Sequence, residues 1–402
     1  MDPRLLLVVS GAYGDLSLAL SFVYGQGFAG QTAIALPLPL YTVNRDSLPL
    51  QVYQYRSVED ILRAATMWDA RIVVLLSGYG FPVEKLTSPR GVGRLVRHLR
   101  SRNCRVVTTD PFLGSASTVK GSEIRAMLRP ATVWWHKLVV AFVARRVARV
   151  LKGSSNALRD VIHLYPAPID TLDNPGRLPR ISFFNRQLTQ RASGWDDSPP
   201  GHATTTETDS SEKAWLFVIA SSDLAMQQRK WGSAEFVSQL VRMFEQTRGA
   251  GRRPVLVGPP SLIQDMTGVL PASLQAELVQ FCSYREFVWR LLDAEYAFYW
   301  NLFSCSAGLV RLVRKLPVFF FDQGHVGQFD QRIYQDGLRC YYGGWEPPRL
   351  QHGALDTEVL AEAAANQERG VDALLAYWQR SPTPQQVIDR LLQGSTTEAF
   401  EV

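Results

Sequence analysis

The sequence predicts an α/β protein built from two doubly wound parallel sheets, each wrapped by helices, that face one another across a cleft. Short apolar runs alternate with helical patterns over residues 1–190, and the same alternation restarts at Ala214 and continues to about residue 350. Between the two series, residues 191–213 read "RASGWDDSPPGHATTTETDSSEK", which is polar, rich in Ser, Thr, Pro and Gly, and predicted to be a flexible linker. At 402 residues the chain is long enough for two or three domains, and 46% apolar with 20% charged residues is an ordinary globular composition.

The first strand lies within 4–10, in "LLLVVSGAYGDLSLAL" from Leu5 to Leu20. Its continuous apolar run reads as a strand buried on both faces of a parallel sheet. Gly11 and Gly14 allow a tight turn into a helix over 15–26 whose apolar spacing is only weakly periodic. Asp15 then falls at the N-cap or in the first helical turn. A carboxylate there caps free N–H groups and complements the helix dipole. It also sits where open α/β folds place their clefts, at the carboxyl end of a strand. Further strands are predicted at 71–77, 104–109, 160–165 and 180–184, and helices at 57–68, 91–101 and 132–152, completing a first domain over 1–190.

In the second domain, 214–350, the strands are "AWLFVIAS", "RPVLVG", "LVQFCS", "EYAFYWN" and "PVFFFD". Helices near 233–248, 260–269, 285–293 and 306–315 separate them. The tail, 351–402, carries two helices, about 356–377 and 383–393, which pack beside the second sheet or cross back to the first domain.

Composition excludes several function classes. Cys104, Cys282, Cys305 and Cys340 lack metal-type spacing and mostly sit in apolar segments, so neither a disulfide framework nor a zinc site is expected. The six histidines form no ligand motif, and no metal is predicted. A net charge of +6 is too dispersed for a nucleic-acid signature, and no zinc finger, RNP-type motif or basic arm is present. No apolar run reaches membrane-spanning length and no leader pattern stands at the start, so the expectation is a soluble cytoplasmic protein without a bound cofactor.

The predicted strand ends supply the cleft. In the second domain they carry Ser221, Ser222 and Asp223; Ser283 and Tyr284; Asn301, Ser304 and Ser306 before a helix beginning near Gly308; and Asp322, Gln323 and His325. Serine hydroxyls beside a helix N-terminus suit a phosphate, although the same serines also serve as N-caps. Ser283 and Tyr284 also read as a strand-end turn with a packed ring. A separate stretch, Trp134 to Lys152, gathers Lys137, Arg145, Arg149 and Lys152 on one side of a helical wheel and Val139, Val140, Val143, Val147, Val150 and Leu151 mostly on the other. It reads either as a surface helix whose valine face packs on the first sheet or as a basic amphipathic helix on an anionic membrane.

Over 215–345 the order "CSYREFVWRLLDA", "EYAFYWN", "LFSCSAGLVRLVRKL", Pro317 and "DQGH" resembles the nucleotide-sugar domain of the GT-B glycosyltransferases. There a base-contacting turn, a phosphate loop and a polar pair on the sugar follow one another. "GAYGDLSLAL" resembles the N-terminal loop of the heptosyltransferase-like members, in which the aspartate of G-x-x-G-D is the base. The resemblance implies a nucleotide-sugar donor held by Ser221, Ser222, Ser283, Tyr284, Ser304, Ser306, Gly308, Asp322 and Gln323. It implies Asp15 as general base toward an acceptor hydroxyl. Arg229 and Lys230 are placed to reach a diphosphate, whereas Arg311, Arg314 and Lys315 read as a solvated helix face. The paired glutamates of the retaining branch are missing from 295–335, which leans toward inversion.

The expected activity is therefore inverting, metal-independent transfer of a sugar to a glycan, lipid-linked or protein hydroxyl. Gly14, Tyr13, Tyr79, Glu84 and Asp110 are the acceptor-side candidates. The alternatives are a nucleotide-sugar epimerase of the same build, which would use further carboxylates in the cleft, and a binding protein that keeps the fold without turnover.

Overall fold

A computed structural model of the chain describes residues 4–26, 29–82, 86–109, 134–165, 180–182, 212–304, 310–321, 331–350, 355–379, 386, 389 and 391–392. Seven parallel strands form the first sheet: β1 (Leu5–Val8), β2 (Thr32–Pro37), β3 (Gln51–Tyr55), β4 (Ile72–Leu75), β5 (Arg105–Thr109), β6 (Ile162–Tyr165) and β7 (Arg180–Ser182). Their order is β3-β2-β1-β4-β5-β6-β7, so the winding reverses between β1 and β4. Six parallel strands form the second: β8 (Ala214–Val218), β9 (Arg253–Gly258), β10 (Glu277–Gln280), β11 (Tyr296–Tyr299), β12 (Val318–Phe321) and β13 (Arg349–Leu350). Here the order β10-β9-β8-β11-β12-β13 reverses between β8 and β11.

Each sheet is covered on both faces, as parallel sheets must be. In β1, Leu5 and Leu7 pack with α1 (Tyr13–Gln26), while Leu6 and Val8 pack on the opposite face with α3 (Val58–Met67) and α4 (Pro89–Ser101). In the second half, Val318 and Phe320 of β12 face α9 (Tyr284–Asp293), and Phe319 and Phe321 face the side of α7 (Ser233–Gly249) and α8 (Pro260–Val269). One buried cluster runs from Leu5, Leu7 and α1 through to Leu216, Phe287 and Phe320, so the two halves share apolar contact.

α1 explains its own weak periodicity. Leu16, Leu18, Ala19, Leu20, Phe22 and Val23 are all buried, together with Ser17. A helix enclosed on most sides needs no polar stripe.

Several elements lie outside the sequence-based expectation. β2, with Pro37 at its end, runs directly into α2 (Leu38–Asn44), and β3 is half-buried with alternating polar residues. After β8 a separate helix, α6 (Ser221–Trp231), precedes α7, with Gly232 at φ 84 between them. α10 (Gln331–Tyr342) and the two-residue β13 are also additional. Over its described part, the expected helix at 306–315 is helical but irregular: Val310 and Arg311 are π-helical, Leu312–Arg314 form a 3₁₀ helix, and Lys315 ends it at φ 55. In the tail, α11 (Thr357–Trp378) packs on the second sheet, where the buried Gln367 side chain accepts from the Val318 N–H at 2.8 Å and donates to its carbonyl at 2.6 Å. The described residues of 383–393 are helical.

Of the expected linker, 191–211 lies outside the described residues. Glu212 and Lys213 are held to the second half by ion pairs with Arg248 (2.6 Å) and Glu295 (3.5 Å).

Candidate functional site

The reversal between β1 and β4 opens the first sheet at its carboxyl edge, where doubly wound folds bind ligands. Val8 pairs with Leu75, so two steps further along the chains Ser10 and Ser77 stand side by side. Both are followed by glycine: "VVSGAYG" leaves β1 and "LLSGYG" leaves β4. Asp15, in the first turn of α1, receives hydrogen bonds from both, from Ser77 Oγ at 2.7 Å on Oδ1 and from Ser10 Oγ on Oδ2. The carboxylate is buried at 7% exposure, while Gly11, Ala12 and Gly14 around it are exposed.

Ser77 adopts φ 51, the left-handed region that non-glycine residues rarely occupy, and its N–H donates to Thr109 Oγ1 at 2.7 Å. Ala12 N–H binds Ser10 Oγ at 3.2 Å. Asp15 is thus held through its neighbours to the ends of β1, β4 and β5. Neither serine was identified from the sequence as a site residue. The signal for them was the matching pair of apolar-apolar-Ser-Gly loops.

Other acceptor-side candidates separate. Among the described residues, a Cβ built on Gly14 meets nothing within 4 Å, so they leave this rim of Asp15 open. Tyr13 instead bridges the halves: its O–H donates to the Cys282 carbonyl and its ring lies 5.4 Å from that of Phe281. Burial raises the Tyr13 hydroxyl above its ordinary pKa and pushes the Cys282 thiol up to about 12, so that thiol is inert at neutral pH. Tyr79 is buried with the opposite face of the sheet, its hydroxyl 2.7 Å from His163 Nε2. Glu84 and Asp110 lie outside the described residues.

The second sheet presents the corresponding edge. Ser221 and Ser222 begin α6 just past β8, exposed, with Asp223 Oδ2 accepting from the Ala220 N–H at 3.3 Å. Ser304 follows β11, the strand across the reversal. Its N–H donates to the Asn301 carbonyl at 3.1 Å, and Asn301 Oδ1 accepts from Phe303 N–H at 2.9 Å. The two serine-bearing loops therefore share one edge. Ser306, Gly308, Asp322, Gln323 and His325 lie outside the described residues. Arg229 and Lys230 stand in the last turn of α6, exposed, roughly 12 Å along the helix from Ser221 at about 1.5 Å per residue. Lys230 lies over the Trp231 ring at 4.6 Å.

Ser283 and Tyr284 lie at the seam between the halves. Ser283 caps α9 by accepting from Glu286 N–H at 3.2 Å. Tyr284 is fully buried, its hydroxyl 2.8 Å from Ser17 Oγ on α1 and its N–H 2.7 Å from Asn44 Oδ1 on α2.

Arg311 corrects the expectation of a solvated face. It is fully buried and donates to the carbonyls of Leu291, Ala294, Glu295 and Pro317, tying the end of α9 to the starts of β11 and β12. Desolvation pulls its pKa down to about 10. Among the described residues, no group of three or more His, Cys, Asp or Glu is placed to hold a metal.

No protein-family model matches the chain, and no curated protein matches it. Its structure is similar to that of Phytolacca americana UGT2 complexed with UDP-2fluoro-glucose and pterostilbene, at 12% identity over 98% of this chain and 99% of that one, TM-score 0.53. It is similar to the glycotransferase of kitacinnamycin at 10% identity over 98% and 100% of the two chains, TM-score 0.52. The UDP-GlcNAc 2-epimerase of Methanocaldococcus jannaschii in complex with UDP-GlcNAc and UDP also matches, at 9% identity over 98% and 100%, TM-score 0.47. With two parallel sheets, each reversing at its centre and joined through α1 and α9, the chain has the GT-B fold.

Proposed function

We propose that this protein transfers a sugar from a nucleotide-sugar donor to an acceptor hydroxyl, with inversion and without a metal, using Asp15 as general base. The observation that carries the proposal is the placement of Asp15: a buried carboxylate at the reversal of the first sheet, clamped on both oxygens by Ser10 and Ser77, beside an open rim at Gly14. UGT2, which shares the fold, is complexed with UDP-2fluoro-glucose and pterostilbene, and this supports a nucleotide-sugar and an acceptor as the ligand classes here.

The acceptor hydroxyl approaches over Gly14 and gives its proton to Asp15 as its oxygen bonds to the anomeric carbon. The bond from that carbon to the diphosphate breaks, and the leaving group takes the electron pair. Its charge is met by N–H groups at the start of α6 and in the loop after β11, where Ser221, Ser222 and Ser304 supply hydroxyls. Ser306, Gly308, Asp322 and Gln323 are proposed as the remainder of the donor site, and Glu84 and Asp110 as further acceptor contacts.

A thermal-shift panel of nucleoside diphosphates tests the donor side, since a ligand at 100 times its dissociation constant stabilises by about 2.7 kcal/mol. Asp15→Asn tests the base. An amide keeps one oxygen to accept a serine bond, turns its NH2 as a donor toward the other serine, and takes no proton at neutral pH, so single-turnover transfer should fall roughly 10² to 10⁴-fold with donor affinity nearly intact. Near-normal transfer would reject Asp15. Conversion of the donor sugar with no acceptor present would instead identify an epimerase.

A further inference from the structure

We infer that α4 and α5 (Trp134–Leu158) together form a docking face for an anionic lipid bilayer. The inference does not depend on the sugar-transfer proposal. The two helices lie side by side and parallel: a Cβ on Gly153 would meet Pro89 at 3.0 Å, and one on Gly93 would meet Ala157 at 3.7 Å. That register leaves the part of α5 from Trp134 to Lys152, roughly 28 Å at about 1.5 Å per residue, running beyond the start of α4. Helices in a parallel α/β sheet begin at the carboxyl edge of the strands, so this overhang projects past the edge that carries Asp15.

The face is of one sign. No acidic residue occurs from Lys85 to Thr109 or from Ile124 to Arg159. On α4, Arg90, Arg94, Arg97 and Arg100 are exposed. On α5, Arg145, Arg146, Arg149 and Lys152 are exposed and follow one another at helical spacing from Phe142. α5 turns Ala144 and Leu151 inward, and Ala157 and Leu158 join the cluster beneath α4.

Of the expected valine face, Val147 and Leu151 pack inward with Ala144 and Ala148, Val143 is 39% exposed, and the Val139 and Val140 side chains lie outside the described residues. Phe142, 67% exposed, stands among the arginines. A duplex nucleic acid bound through its phosphates would use the cations and leave that ring in water. A bilayer uses both, with the guanidinium groups on lipid phosphates and the ring at the acyl boundary.

The test is co-sedimentation of the full chain, without any sugar donor, with vesicles of phosphatidylcholine alone or of equal parts phosphatidylcholine and phosphatidylglycerol. The parent should bind only the anionic vesicles and should be released by salt. The triple variant Arg145→Gln, Arg146→Gln, Arg149→Gln should bind roughly 10²-fold more weakly, and Phe142→Ser roughly 10-fold more weakly, with unchanged circular dichroism. These are surface positions, and Arg94→Gln with Arg97→Gln provides a second variant on the other helix that should also weaken binding. Equal sedimentation with both vesicle types, or of parent and triple variant, overturns the inference. So does tighter binding to duplex DNA with no response to Phe142→Ser, which would make the face a nucleic-acid surface.

Discussion

Ser77 concentrates what the first-sheet edge demands of a single residue. Its left-handed backbone costs on the order of 1 kcal/mol, and its hydroxyl holds one oxygen of Asp15. Ser77→Gly removes the strain and the hydroxyl together. Stability by denaturant titration should hold or rise, while sugar transfer should fall; full activity in this variant would show that Asp15 does not need the bond. Arg311 makes the opposite case, a polar residue whose work is structural. Arg311→Met leaves four carbonyls without their donor in a buried place, and equilibrium unfolding should show a loss of about 3 kcal/mol or more. Arg311→Lys should recover little, because a compact ammonium cannot span carbonyls contributed by three separate elements. A loss below about 1 kcal/mol would contradict the clip. Nothing in "GLVRLVRKL" distinguishes Arg311 from the half-buried Arg314 and the exposed Lys315. Its burial follows from where α9, β11 and β12 end and begin.

Between elements, the telling contact is α1 against α9. α1 is enclosed because the second half covers it, and Ser17, a polar residue in an apolar helix, is satisfied by Tyr284 from across the seam. A double-mutant cycle on Ser17→Ala and Tyr284→Phe should give a coupling of roughly 0.5 to 1.5 kcal/mol in unfolding free energy. Zero coupling would mean that the seam is not closed in solution. The contact also explains the different placements of Tyr284 and Ser304. Both follow strands of the second sheet, but Tyr284 is engaged by Ser17 and Asn44 of the first half, whereas the Ser304 N–H bonds the Asn301 carbonyl of its own loop.

For the whole molecule, the proposed division is two units joined through 191–211, with the second beginning at the ion pairs of Glu212 and Lys213. A segment so poor in apolar residues has little surface to bury. Limited proteolysis should therefore cut first within 191–211 and release two fragments that stay associated through the shared core around α1. Protection of that segment, with first cuts inside either sheet, would contradict the division.

The strong elements were legible because local physics suffices for them. Short continuous apolar runs bounded by turn signals, such as Leu5–Val8 and Val318–Phe321, read as strands buried on both faces, and alternation with helical patterns means parallel winding. The acidic residue after the first strand was legible for the same reason. β2 and β3 were not: Pro37 and Pro39 obscure one, and the half-polar "QVYQY" suits an edge strand whose only apolar support is tertiary. The serine pair illustrates the boundary. Each Ser-Gly loop is visible in the chain, but that Ser10 meets Ser77 depends on β1 pairing with β4, which α1, β2, α2, β3 and α3 separate in sequence. Composition and periodicity determined the two sheets. Only tertiary structure decided which strand ends meet, because hydrogen-bond register and burial of charge are properties of the assembled neighbours and of no single segment.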